Sequence, residues 1–68
     1  MRIMALEELL VVGIKYYDRE IVELEKEIVL HQAFGRSREE RGTVKTRLYL
    51  IAKREAAKQE LERVRKQI

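Results

Sequence analysis

The sequence predicts an all-α protein: an antiparallel two-helix coiled-coil hairpin that dimerises into a four-helix bundle. Three observations predict it. No Pro occurs in the 68 residues, so nothing of that kind breaks a long helix. Apolar residues recur at alternating steps of three and four on both sides of one polar, glycine-containing segment, FGRSREERGT, which is the rhythm of a coiled-coil seam. The two sides also carry opposite charge. Residues 1–34 hold 4 bases and 7 acids, net −3, whereas residues 35–68 hold 11 bases and 5 acids, net +6, so the arms are electrostatically complementary.

The first helix is expected over about 2–33, with Leu10, Ile14, Tyr17, Ile21, Leu24, Ile28 and His31 on its seam. Gly35 is the helix stop, and Phe34 before it is expected to close the turn end of the core. The turn covers about 34–37. Ser37 followed by Glu40 has capping-box spacing, so Ser37 is the expected cap of a second helix over about 38–68. Gly42 and Thr43 offer a rival start at 43, because an interior Gly costs about 1 kcal/mol relative to Ala and Thr can cap.

With a turn centred near residue 36, facing residues have numbers adding to about 72, so Leu24 meets Leu48, Ile21 meets Ile51 and Ile28 meets Val44. Beyond Ile51 that rhythm calls for Glu55, Lys58 and Glu62, while the apolar residues are Ala57, Leu61, Val64 and Ile68. The second stripe is therefore expected to rotate sideways, toward an extra stripe on the first arm at Ala5, Leu9, Val12 and Tyr16. Leu9, Val12, Tyr16, Ala57, Leu61 and Val64 form the predicted oligomer interface. Gly13 beside them suits close approach of another helix better than a bend.

Size points the same way. A core this small seldom yields more than about 3–5 kcal/mol without a brace, and with no Cys and a single His the remaining common brace is self-association. A two-fold homodimer is the simplest closed form. The N-terminal stretch has 10 apolar residues in 14, yet Glu7 and Glu8 interrupt it and it falls short of the ~20 that span a bilayer. It reads as buried protein surface, with no membrane partner and a cytoplasmic location as the expectation. One Asp against eleven Glu, and no Asn, lean toward a heat-adapted source.

The basic turn is the main functional pointer. Arg36, Arg38, Arg41, Lys45 and Arg47 open a basic run that continues along the second arm, interrupted by Glu39, Glu40, Glu55, Glu60 and Glu62. It is expected to meet a protein partner or nucleic-acid phosphates. Tyr16 and Tyr17 belong to packing positions, which leaves Tyr49 free to stack. His31 stands alone, without a second His or Cys to complete a metal site. No nucleophile–base set, phosphate-cradling Gly loop or paired-carboxylate pocket is visible, so no catalysis, cofactor, metal or small-molecule substrate is expected. The leading reading is a non-enzymatic interaction or adaptor protein that self-associates and presents its basic turn to a macromolecule. The alternative is an RNA- or DNA-binding regulator using that turn and the second helix.

In architecture the chain resembles small two-helix hairpin proteins that dimerise into four-helix bundles, such as the RNA-binding plasmid regulator Rop. That resemblance implies the dimeric bundle. The FG turn is also similar to the coiled-coil finger of bacterial transcript-cleavage factors, but Arg36 and Arg38 stand where such a finger requires an acidic tip to hold a metal ion. Helical chorismate mutases are similar only in being small and all-helical; they need three helices with Arg, Lys and Glu facing a pocket.

Overall fold

Good helix formers run without a Pro from the first residues to Ala33, and again from Ser37 to the end. The computed structural model describes the backbone of residues 3–67 and the side chains of residues 6–67. It contains two helices, α1 (Ile3–Ala33) and α2 (Ser37–Lys66), packed on each other as a hairpin about 50 Å long. Arg2, Ile68 and the side chain of Ala5, all used in the expectations above, lie outside the described residues.

Gly35 ends α1 as expected. Its φ of 66° is the left-handed conformation that L side chains resist. Around it the Arg36 N–H donates to the His31 carbonyl at 2.8 Å and the Gly35 N–H to the Gln32 carbonyl at 3.3 Å. These are the two bonds of a Schellman motif, which satisfy carbonyls that the helix end leaves open. Phe34 does not close the core. It is exposed and carries the Arg36 guanidinium 5.2 Å above its ring.

α2 begins at the expected cap residue itself, one position earlier than expected. Ser37 is its first helical residue, Arg36 takes the cap position without a side-chain hydrogen bond, and the Glu40 N–H closes the first turn on the Arg36 carbonyl at 2.9 Å. The capping box does not form because the Glu40 carboxylate is engaged across the hairpin, accepting from Gln32 Nε2 at 2.9 Å. Gly42 lies inside the helix. The Thr43 and Thr46 hydroxyls donate to the carbonyls of Glu39 and Gly42 at 3.0 and 3.1 Å, so Thr43 bonds backward and does not cap a later start.

The register is fixed by four cross-helix contacts, Gln32 with Glu40, Arg47 with Glu25, Arg54 with Asp18 and Arg65 with Glu7, and in every pair the residue numbers add to 72. On α1 the predicted seam is the covered face, with Ile21 buried and Leu10, Ile14, Tyr17, Leu24, Ile28 and His31 half-buried. The seam of α2 differs from the expected one. Leu48 is 57% exposed, and the inward column is Glu40, Arg47, Arg54 and Leu61, flanked by Val44, Leu50, Ile51, Ala57 and Val64. Val44 and Ile51, expected on the seam, are half-buried beside that column, and the covered apolar residues then continue through Ala57, Leu61 and Val64; of the expected seam residues only Leu48 lies outside. The physical reason is that Arg47 and Arg54 take inward positions, laying their aliphatic stems along the seam while the guanidinium groups reach the carboxylates of α1.

Candidate interaction surfaces

The register sorts the predicted interface residues into two groups. Leu61 and Val64 are 8% and 5% exposed, packed between the helices, and Ala57 is half-buried beside them. They are hairpin core, not part of an open face. Leu9, Val12 and Tyr16 remain uncovered at 69%, 64% and 54%. Tyr16 rests edge-on against the seam residue Tyr17, with ring centroids 5.8 Å apart. Exposed Leu6 adjoins them, and a Cβ built on Gly13 would meet nothing within 4 Å. Leu6 and Gly13 flank the seam, Leu9 and Tyr16 lie one column further round, and Val12 is at the back of α1. The open half of α1 thus carries an apolar sector over which α2 lays nothing.

The other edge is polar and paired. Asp18, Glu25 and Gln32 are seven residues apart on one column of α1, and Arg54, Arg47 and Glu40 meet them from α2 at 2.8, 3.1 and 2.9 Å. Glu55 joins Arg54 at 3.4 Å, and Asp18, its hydrogen-bond acceptor, raises the Arg54 pKa and holds that guanidinium firmly charged. Toward the open end Arg65 donates to Glu7 at 2.7 Å. Two shallow depressions border that pair, one lined by Lys58, Leu61, Glu62, Arg65 and Lys66 and the other by Glu7, Glu8, Val11 and Val12.

Pairing redistributes the basic charge that the sequence spreads along the second arm. Arg54, Lys58, Arg63, Arg65 and Lys66 all have carboxylates within 4 Å. Arg47 does too, so this member of the expected contact set is turned into the seam against Glu25. Arg38, Arg41 and Lys45 are exposed and make no ion pair among the described residues. Arg36 sits over Phe34, and Lys53 sits 5.4 Å over the exposed Tyr49 ring. The uncommitted cations of α2 are therefore gathered in its turn-proximal half. Composition alone had no means of separating them from the paired ones.

Two further exposed side chains, Val22 and Val29, were not singled out by their sequence pattern, and Leu48, expected on the seam, joins them outside it. Val22 and Val29 lie four residues beyond Asp18 and Glu25, and Leu48 lies four beyond Val44 and three before Ile51, the half-buried residues that flank Arg47, so all three border the ion-paired edge in the turn half. The cue was available as a second apolar column, Val22 and Val29, one heptad apart. No group of three metal-ligating side chains converges among the described residues, and no described helix is long and apolar enough to cross a membrane. Comparison with protein-family models, with curated proteins and with solved structures finds no match.

Proposed function

We propose that this chain is a non-enzymatic helical-hairpin interaction protein, which pairs with a second copy through the open-half sector of α1 and offers its turn half to a macromolecular partner. The observation that carries the reading is excess surface. A folded chain of 8.1 kDa exposes about 4,500 Å² on the scaling of monomeric proteins, and this one exposes 5557 Å². The difference is about 1,000 Å² per chain, or about 2,000 Å² for a pair, the size of a stable protein interface. Leu6, Leu9, Val12 and Tyr16 supply exposed apolar side chains to that surface, and Gly13 among them would let a second helix approach closely. An isologous contact on this sector joins the two hairpins through their α1 helices and leaves both turn ends free.

Sedimentation equilibrium of the purified chain at micromolar concentration tests the pairing. Twice the chain mass is expected, with a helical signal that falls on dilution. A well-folded single chain at all concentrations overturns it.

A further inference from the structure

Three exposed aliphatic side chains of the turn half, Val22, Val29 and Leu48, flank the ion-paired edge, and the uncommitted cations of α2 run from that edge toward the back of the helix; Leu30, also exposed, lies on the opposite edge. Going outward from the seam, α1 presents Val22 and Val29, and α2 presents Leu48 in one column with Arg41, then Lys45 and Arg38 in the next. The Arg47–Glu25 pair crosses between them at 3.1 Å and forms the floor. The result is a shelf with a polar floor and two apolar rims, Val22 and Val29 on α1 and Leu48 on α2, beyond whose α2 rim Arg41, Lys45 and Arg38 form a rail of three cations. At about 1.5 Å per residue, Arg38, Arg41 and Lys45 are spaced by about 4.5 and 6 Å along the axis, which is the spacing of side chains three and four apart on a facing helix.

We propose that this shelf binds an acidic amphipathic helix of a partner protein, laid along the hairpin with its apolar stripe on Val22, Val29 and Leu48 and its carboxylates on Arg38, Arg41 and Lys45. The inference rests on the interaction-protein reading and names the partner class. Two features favour a helix over a nucleic acid strand. Phosphates would satisfy the cations but leave three aliphatic side chains wet, and those side chains offer no ring for a base to stack on. The hairpin also makes the same kind of recognition internally, where the acidic α1 meets Arg47 and Arg54 of α2 over an apolar seam. The shelf repeats that arrangement one column further out. The pairing sector and the shelf are on opposite edges and in opposite halves, so both can be occupied together.

Fluorescence anisotropy at about 0.15 M salt tests the proposal, with three labelled probes. The first is a three-heptad peptide with Leu at a and d and Glu at the flanking positions. The second is the same composition scrambled, and the third is a single-stranded oligonucleotide of similar length. The patterned peptide is expected to bind the full chain, and the combined Arg38→Ala, Arg41→Ala and Lys45→Ala variant to bind it about tenfold more weakly. Val29→Ser with Leu48→Ser should remove binding while keeping the helical signal, since both side chains are exposed; Leu9→Ser should leave binding as it was. Equal binding of the scrambled peptide, tighter binding of the oligonucleotide with indifference to the Val29 and Leu48 changes, loss of binding in Leu9→Ser, or no binding at all would each overturn it. Sedimentation keeps the two readings apart: a dimer that ignores the peptide defeats only the shelf, and a monomer that binds it defeats only the pairing.

Discussion

Leu9 and Leu61 look equivalent in the sequence, and the structure gives them opposite consequences when truncated. Leu61 is 8% exposed between the helices, and removing a buried Leu side chain costs about 2–5 kcal/mol. That matches the whole net stability of about 3–5 kcal/mol that a core this small supplies. Leu61→Ala should therefore unfold the hairpin. Leu9 is 69% exposed in the single chain, so burial against a second copy has that share of a full Leu contribution still to add, about 1–2 kcal/mol per chain. A two-fold pair contains the residue twice, and Leu9→Ala should weaken dimerisation by about 2–4 kcal/mol, or roughly 30-fold to several hundred-fold in Kd. Circular dichroism melts over a hundredfold range of concentration, with sedimentation on the same samples, separate the outcomes. The helix signal of Leu61→Ala should be low throughout, and that of Leu9→Ala should be recovered at high concentration. If Leu9→Ala leaves the dimer constant within threefold while Leu61→Ala stays folded, the assignment of inner and outer faces is wrong.

Three further outcomes follow from particular residues. Gly35→Ala places a side chain at a φ of 66° and should destabilise the hairpin by about 1–2 kcal/mol in urea unfolding, more than Gly42→Ala, which should stabilise it. Gly13→Ala should gain about 1 kcal/mol in helix propensity within the single hairpin, where nothing lies within 4 Å of the new methyl; if a second copy packs on that position, the same variant should dissociate more readily, read by sedimentation. Exchanging the charges of one rung, Glu25→Arg with Arg47→Glu, should restore most of the melting temperature lost by Glu25→Arg alone, because the 3.1 Å contact is re-formed with its ends reversed.

How far the fold was legible depended on what each helix uses for its inward face. On α1 that face is aliphatic and aromatic, and periodicity located it from Leu10 to His31. On α2 the inward column is Glu40, Arg47, Arg54 and Leu61, with one apolar residue in four, so hydropathy settled on Leu48 one position away and then required a rotation to reach Leu61. Arg47 and Arg54 belong inside because an Arg side chain is a hydrocarbon stem with a charge at its tip, and Asp18 and Glu25 are placed to receive the tips. The signal existed: the same register rule that pairs Ile21 with Ile51 also pairs Asp18 with Arg54 and Glu25 with Arg47. Opposite charge between the arms was readable in aggregate, whereas which cations stay uncommitted depends on rotamers and reach, and only coordinates resolve that.

The charged inward column also bears on why this hairpin exposes so much apolar surface. Arg47 and Arg54 contribute specificity of register more than burial, and among the described residues only Ile21, Leu61 and Val64 are buried, none of them completely. A chain built in this way has its strongest cohesive positions near the middle and the open end, with aliphatic residues left over on both outer edges. Leu30 stands apart from the rest, and the other aliphatic remainders form two groups. Leu6, Leu9, Val12 and Tyr16 collect beside Gly13 on one edge of the open half, and Val22, Val29 and Leu48 collect beside Arg38, Arg41 and Lys45 on the other edge of the turn half. One patch is neutral and suits a copy of itself; the other is cationic and suits an acidic complement. A pair joined at the first patch carries the second twice, so a partner with two acidic helices would be held by both at once, at an effective concentration set by the roughly 50 Å length of the hairpins.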